Sequence, residues 1–305
     1  MRVTLIHNPD AGNAGAARGD DLAALIGKSG HRVIYQSSRS ADWDKILQEP
    51  TDLVAVAGGD GIVGKVAKRM IGKSTPLAVL PIGTANNIAN ALGLARQPLN
   101  QLIAAWRIGR RMKFDVGAAT GPWGSTHFIE GLGLGLFAET MSRLDARKNI
   151  DIAHHGLTDK KITSVLEIMK VRLEGCQATR LKLELDDQDL SGNYLLLEAM
   201  NIRYIGPNLC LAAAADPTDG LFDVVLIADE HRDQLKNYLA ERLEGNSECA
   251  VLPVRQCRHV HIECQALPIH IDDDLQLKRG APKRFSSAVI DVTIESGAVE
   301  FLALE

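Results

Sequence analysis

Apolar residues along the first third of the chain come in short runs, and each run is followed by a stretch with helical spacing. "RVTLIHNP" reads as a strand, "AARGDDLAALIGKSG" as a helix closed by glycine, "HRVIYQSS" as a second strand and "DWDKILQEP" as a short helix. "DLVAVAGG" and "PLAVLPIG" supply two more strands, with "IVGKVAKRMIG" between them and "TANNIANALGL" after them as helices. In the last of these, Thr84 is expected at the N-cap and Gly93 just past the end. Strands alternating with helices at this spacing require right-handed crossovers, so the pattern predicts an α/β domain with a doubly wound parallel sheet.

After "RRMKFDVGAAT" the periodicity shortens. "RLKLELDDQDL", "NYLLLEAMNI", "LFDVVLIA", "HVHIEC", "LPIHIDDD" and "VIDVTIES" are brief β-type runs separated by turn residues, which predicts a β-rich, sandwich-like domain. One helix interrupts it at "KKITSVLEIMKVRLEG", where Ile162, Val165, Met169 and Leu173 form a stripe expected to pack onto the sheet. A second is expected in "RDQLKNYLAERLEG". The boundary falls near residue 118, giving domains 1–117 and 118–305, with the last strand able to return toward the hinge.

Composition removes some function classes. Across 305 residues the net charge is -4 and the isoelectric point about 6.2, so a nucleic-acid partner held by bulk charge is not expected. No segment offers the ~18 unbroken apolar residues of a spanning helix, and no basic-then-apolar leader opens the sequence, so the expected home is the cytoplasm. Five cysteines form no CxxC pair and predict no disulfide framework. "CRHVHIEC" places Cys257, His259 and His261 on one strand face; zinc is conceivable there, but a polar, solvated face is the simpler account. His154 and His155 fall in a polar loop and are assigned no chemistry.

The candidate chemistry starts at "AGGDGIVGKV". Glycine at the carboxyl end of a strand lets backbone N–H groups approach a ligand, and the helix behind adds its positive end, so the spot suits phosphate. Gly59, Gly64 and Lys65 also satisfy GxxxxGK, but Val66 stands where a P-loop needs Ser or Thr for magnesium. "PIGTANNIANALG" makes a second strand-to-helix turn, and "NPDAG" follows the first strand. The three loops should therefore converge on one edge of the sheet.

"GGDG" after a strand, "PIGTANN" one strand later and "DPTDGLFDV" in the β-rich part resemble the diacylglycerol kinase catalytic domain family, which includes bacterial lipid kinases and sphingosine kinases. Matching order extends from Asn8 to the last strand; "GGDG" alone also occurs in NAD kinases. The resemblance implies a nucleotide-binding domain at 1–117 and a lipid- or substrate-binding domain at 118–305, with ATP and Mg2+ as cofactors. It assigns Gly58, Gly59, Asp60, Gly61, Ile62, Val63, Gly64, Gly83, Thr84 and Asn86 to the ATP phosphates, with Asn8 and one of Ser37 or Ser38 as further nucleotide contacts. Asp216, Asp219 and the carbonyl of Leu221 match a structural magnesium site. The family's late Asp-Gly-Glu, whose acid takes the proton from the lipid hydroxyl, falls on "DDD", so Asp272 and Asp274, with Asp60, are the catalytic candidates. The implied substrate is a lipid such as diacylglycerol or another hydrophobic alcohol, met by transient contact with the inner membrane face.

The sequence departs from the family pattern at defined places. GGDGT-x-N-E reads "GGDGIVGK", so Ile62 replaces a hydroxyl, Gly64 an amide and Lys65 an acid; "GTxND" has Asn87 for the acid. Lys65 is either a cation beside the phosphates or a solvated helix lysine. The alternatives are a member that binds nucleotide or lipid without turnover, and an NAD kinase-like activity. The basic run Arg107, Arg110, Arg111 and Lys113 suits anionic headgroups or nucleotide, at about 1 kcal/mol per charge beside an anionic bilayer, although an ordinary solvated face is the simpler account.

Overall fold

The computed structural model describes residues 1–12, 17–148, 158–265, 267–277 and 287–304; His154 and His155 lie outside them. The chain divides into two compact units, Met1–Val116 with Ser296–Glu305, and Gly117–Glu295.

In the first unit β1 (Arg2–His7), α1 (Gly19–Lys28), β2 (Arg32–Ser37), a 3-10 turn at Trp43–Gln48, β3 (Leu53–Gly58), α2 (Asp60–Arg69), β4 (Leu77–Pro81), α3 (Asn87–Ala91) and α4 (Leu99–Ala105) follow one another. The strands pair in parallel in the order β2-β1-β3-β4, with Ile6 beside Val56 and Val56 beside Val79. Every residue of β3 is buried, as a central strand covered on both faces must be. Each buried Val or Leu in these strands contributes roughly 1.5–3 kcal/mol, and Val3, Leu5, Val54, Val56 and Leu80 are fully enclosed. The parallel α/β expectation therefore holds.

Two details differ from the sequence reading. The helix after β4 begins at Asn87, so Thr84 is not its N-cap. Asn86 takes a left-handed conformation (φ 51°) and its amide closes on Gly83, accepting from the Gly83 N–H at 3.0 Å and donating to its carbonyl at 2.9 Å. That local ring of bonds postpones the helix. Gly93 does lie just past the helix end with φ 72°. α4 has no counterpart in the sequence reading, because its 7 residues fill only about two turns and show little periodicity.

The later elements are β5 (Arg110–Gly121), β6 (Gly124–Phe128), β7 (Gly131–Gly135), α5 (Leu136–Lys148), α6 (Thr158–Gly175), β8 (Thr179–Leu185), β9 (Gln188–Asp189), β10 (Gly192–Tyr194), β11 (Leu196–Met200), β12 (Tyr204–Ile205), β13 (Leu209–Cys210), β14 (Phe222–Ile227), α7 (Arg232–Leu243), β15 (Val254–Cys257), β16 (His259–Gln265), β17 (Ile269–Ile271), β18 (Asp274–Leu277) and β19 (Ser287–Ala303). The division between the units falls within β5 and β19. In the first unit the end of β19 adds a parallel neighbour to β4, through Phe301 and Leu77.

The second unit holds two antiparallel sheets. One runs β10-β8-β16-β19 and the other β15-β14-β11-β7-β17-β18. Leu183, Val260, Ile262 and Ile290 of the first sheet meet Leu132, Leu134, Leu197, Val224 and Ile271 of the second in a shared core. On the other side of the second sheet, Phe137, Leu166, Met169, Leu173 and Leu239 of the helices pack on Leu196, Met200, Val225 and Ile227. The β-rich half is thus a sandwich with a helical third layer. The stripe on α6 faces that layer, with Ile162 and Val165 at its margin.

Cysteine placement corrects two expectations. Cys257 ends β15, which pairs with β14 in one sheet, and after Arg258 the chain enters β16 of the other sheet; Cys257 therefore points into the shared core from the sheet opposite His259 and His261. The two histidines instead meet Asp291, His261 Nδ1 at 2.8 Å and His259 Nε2 at 3.4 Å. The hydrogen bond that the ring donates to the Asp291 carboxylate holds the His261 pKa above its ordinary value. Contrary to the expectation of no disulfide, Cys210 and Cys249 are bonded, 39 residues apart in sequence. No local spacing announces such a pair. In protein purified without reductant and then denatured, alkylation should label Cys176, Cys257 and Cys264 alone, the other two becoming reactive after reduction. Labelling of every cysteine before reduction would contradict this bond.

Candidate functional site

The strands of the first unit are parallel, so the loops leaving their carboxyl ends lie at one edge of the sheet. Glycines then decide how closely those loops approach. A Cβ on Gly58 would collide with the Ile62 side chain and lie 3.4 Å from Asn8 Cβ, which brings the loop after β1 against the end of β3. A Cβ on Gly83 would lie 2.9 Å from the Gly59 nitrogen and overlap its Cα, so the turns after β3 and β4 are in backbone contact. Asp60 Oδ1 accepts from the Ile88 N–H at 2.9 Å, joining the start of α2 to the first turn of α3.

Asn8 is held from both sides, its N–H donating to Ala57 O at 2.9 Å and its Oδ1 accepting from the Asp10 N–H at 3.1 Å. Ser38 N–H donates to His7 O at 2.9 Å, and Ser37 Oγ accepts from the Arg39 N–H at 3.3 Å. Arg39 Nε donates to Asp10 Oδ2 at 3.0 Å, tying the loops after β1 and β2 together. The residues that the resemblance assigns to nucleotide thus gather at one sheet edge. Thr84 and Gly61 are exposed there.

The stretch Ile62–Gly64 is not loop. These residues lie inside α2 and are buried, and the N–H groups of Ile62 and Val63 already donate to Gly59 O at 3.2 Å each. Lys65 is exposed on the same helix. Ile62, 7% exposed, packs against Gly58, so the apolar residue in place of the family's Thr fills space under the strand end. Ile62→Thr is expected to destabilise the fold by about 2 kcal/mol, through lost packing and a buried hydroxyl, read as a lower urea midpoint. An unchanged midpoint would mean that Ile62 does not support the turn.

In the second unit Asp272 and Asp273 form a two-residue turn between β17 and β18, closed by the Ile271–Asp274 pair. Asp272 has φ 49°, the left-handed first position of such a turn. Its carboxylate accepts from the N–H groups of Ile129 at 3.0 Å and Glu130 at 2.8 Å, and its own N–H donates to Gly131 O at 2.8 Å. Asp273 and Asp274 are exposed. Behind the turn, the fully buried side chains of His270 and Glu198 meet at 2.8 Å. Neither stood out in the sequence, although a lone acid in the apolar run "LLLEAM" is a signal, since a buried carboxylate demands a partner.

Asp216 and Asp219 lie in the loop before β14. Asp216 Oδ1 accepts from Thr218 Oγ1 at 2.7 Å, and Asp219 Oδ1 from the Leu221 N–H at 2.9 Å. Buried Asp223 has its pKa raised by burial first, and then by the charges of Asp219 and Asp216. Two carboxylates and the Leu221 carbonyl are hard oxygen donors that fit a mostly hydrated Mg2+, although no group of three or more His, Cys, Asp or Glu set to hold a metal occurs among the described residues.

Residues 2–119 match the family model described as diacylglycerol kinase catalytic domain, and residues 141–293 the one described as YegS C-terminal NAD kinase beta sandwich-like domain. The chain belongs to the diacylglycerol kinase catalytic domain family. It is similar to a diacylglycerol kinase of Mycobacterium tuberculosis, 25% identical over 291 residues that make up 90% of this chain and 88% of that one. It is also similar to a probable lipid kinase YegS-like of Pseudomonas aeruginosa, 29% identical over 237 residues, 74% of this chain and 71% of the other. Among solved structures, a diacylglycerol kinase from Bacillus anthracis superposes with a TM-score of 0.70 at 17% identity, covering 99% of this chain and 96% of that one. Yeast NADH kinase complexed with NADH gives a TM-score of 0.51 at 11% identity, covering 100% and 84%. At such identities these two structures establish a common fold. No helix among the described residues is long and apolar enough to cross a membrane.

Proposed function

We propose that the protein is an ATP-dependent kinase that phosphorylates a hydroxyl of a lipid such as diacylglycerol or a related hydrophobic alcohol. The observation that carries this reading is the backbone contact of the Gly59 and Gly83 turns beside Asp60 and Asn8. Phosphoryl transfer depends mainly on positioning and on neutralising charge, and main-chain amides crowded at strand ends serve both needs. In this reading Gly58, Gly59, Gly61, Gly83 and Thr84 border the phosphates, Asp60 sits beside them, and Ser37 or Ser38 touches the nucleoside. Asp216, Asp219 and the Leu221 carbonyl would hold Mg2+ as a structural ion, supplying positive charge to an acidic loop.

The two acids of the late turn divide the work. Asp272 spends its carboxylate on the Ile129 and Glu130 amides, which suits a structural anchor. Asp274 is exposed, two residues on, and is the better candidate to take the proton from the lipid hydroxyl. The fit of Ile62 under Gly58 favours a working variant of the family pattern over a decayed one.

The test is incubation with labelled ATP, magnesium and a panel of diacylglycerol, sphingoid bases and related alcohols in mixed micelles, with NAD as a separate acceptor. A labelled lipid phosphate is expected. Label on NAD alone would replace the lipid reading with the nucleotide one, and no transfer under any condition would leave a binding protein.

A further inference from the structure

β7 reads "GLGLG", and its middle residue, Gly133, is opposed by Glu198 on β11 and by His270 on β17. Leu132, Leu134, Leu197, Ala199, Ile269 and Ile271 face the sandwich core, so by strand alternation Gly133, Glu198 and His270 share the helix-covered face. A Cβ on Gly133 would overlap the Glu198 carboxylate; the missing side chain is what lets Glu198 reach across the strand. Glu198 Oε2 lies 2.8 Å from His270 Nε2, both residues being fully buried. The other ring nitrogen, Nδ1, lies 3.0 Å from the main-chain carbonyl of Asp272. Phe137 of α5 meets the imidazole edge-on, at 4.8 Å between ring centroids.

The hydrogen count follows from these partners. A carbonyl only accepts, so Nδ1 carries a hydrogen. Nε2 and Oε2 then share one further proton, as imidazolium with carboxylate or as imidazole with carboxylic acid. Burial pushes the Glu198 pKa up. Burial also works against a charged imidazole, but the Glu198 charge and hydrogen bond outweigh it and leave the His270 pKa raised. Asp272 adds a second negative charge near the ring, whereas Gly133 and Phe137, which face it from β7 and α5, cannot ionise.

We propose that Glu198 and His270 are positioning residues for phosphoryl transfer: by sharing one proton across Gly133 they fix the main chain of the turn bearing Asp272 and Asp274, and loss of that proton releases the turn. This rests on the reading that the turn serves the lipid hydroxyl. Without the shared proton the ring has one hydrogen for two acceptors. Either Nε2 turns a lone pair on the carboxylate, or Nδ1 turns one on the Asp272 carbonyl, and one link fails. The raised value places this above the unfolded histidine value of about 6.5. The contribution is complete below that pH and disappears as pH rises through the folded value.

Glu198→Gln separates the proton from the packing. Its amide donates to Nε2 while Nδ1–H stays on the Asp272 carbonyl, and nothing remains to be lost. In the full-length protein labelled with 15N-histidine, the resonance absent from His270→Gln should show a protonated Nδ1. The amide shifts of Asp273 and Asp274 should move at alkaline pH in the wild type and stay fixed in Glu198→Gln. With ATP and micellar diacylglycerol, the wild-type kcat should fall along the same alkaline limb while the KM for ATP holds, and Glu198→Gln should lack that limb. His270→Gln should lower kcat about tenfold or more at every pH. An Nδ1 without hydrogen, or an identical alkaline limb in Glu198→Gln, overturns the proposal. If the wild type transfers no phosphate, the kinase reading fails, while the amide shifts still support or overturn the hold of the pair on the turn.

Discussion

Asp60→Asn is expected to slow phosphoryl transfer from ATP to lipid by about 10²- to 10³-fold, the scale on which preorganised charges and donors act in a site. Asp60 is the first residue of α2 and accepts from the Ile88 N–H in the first turn of α3, so two helix starts bear on one carboxylate. Helix N-termini favour negative charge, so a carboxylate is well placed at the start of α2 beside Gly59 and Gly61. Asparagine preserves the Oδ1 acceptor and almost the same shape, so the link to Ile88 survives and only the charge goes. Asp60→Ala removes both, and should cost about 1 kcal/mol of stability in addition. Measured together, rates with labelled ATP and urea midpoints separate the two roles: Asp60→Asn should lose rate at a nearly constant midpoint. A variant retaining its rate within about threefold would reduce Asp60 to a cap of α3.

The parallel half of the fold was legible because its information is local. β3 is a continuous apolar run ending in glycine, and α2 begins at the next acid, so strand, turn and helix are all written within residues 53–69. The convergence of the loops followed from topology, since parallel strands put their carboxyl ends together. The depth of the glycine-rich loop after β3 was not legible. The family resemblance carried it on to Gly64, whereas the buried side chains of Ile62 and Val63 and the bonds of their amides to Gly59 start the helix earlier. Here packing of Ile62 under Gly58 decides, and a motif does not describe packing.

The second unit hid more, because its important contacts join distant strands. Glu198 and His270 are 72 residues apart and meet only because β7 lies between β11 and β17. Each looked like one polar residue in an apolar strand. The register pairs both with Gly133, and no one-dimensional period reports that. The step at Arg258 is similar: strict alternation put Cys257 beside His259 on one strand, but there the chain passes from β15 of one sheet to β16 of the other. Asp272 is visible in the sequence as an acid of the late turn, but its bonds to the amides of Ile129 and Glu130, from a segment over 140 positions earlier in the chain, needed the tertiary fold to appear.

Gly83→Ala should be the most damaging single methyl in the nucleotide half, with a loss of about 10²-fold or more in kcat/KM for ATP. The new Cβ would overlap Gly59 Cα and lie 2.9 Å from the Gly59 nitrogen and 2.8 Å from Asn86 Oδ1. Two of these obstacles are main chain, which cannot rotate away, so the turns after β3 and β4 must part by something near 1 Å, a displacement that costs on this scale when it separates groups acting together. Overpacking also costs about 1–3 kcal/mol in stability, so activity alone would not identify the cause. Gly93→Ala supplies the control. Gly93 has φ 72° with nothing within 4 Å of its Cβ position, so alanine there strains the backbone by roughly 1–2 kcal/mol without touching the loops. The two variants should show comparable falls in urea midpoint, while only Gly83→Ala loses affinity for ATP in a calorimetric titration. Equal ATP affinity in both would mean that the contact between Gly59 and Gly83 merely packs the fold, and that the nucleotide binds elsewhere.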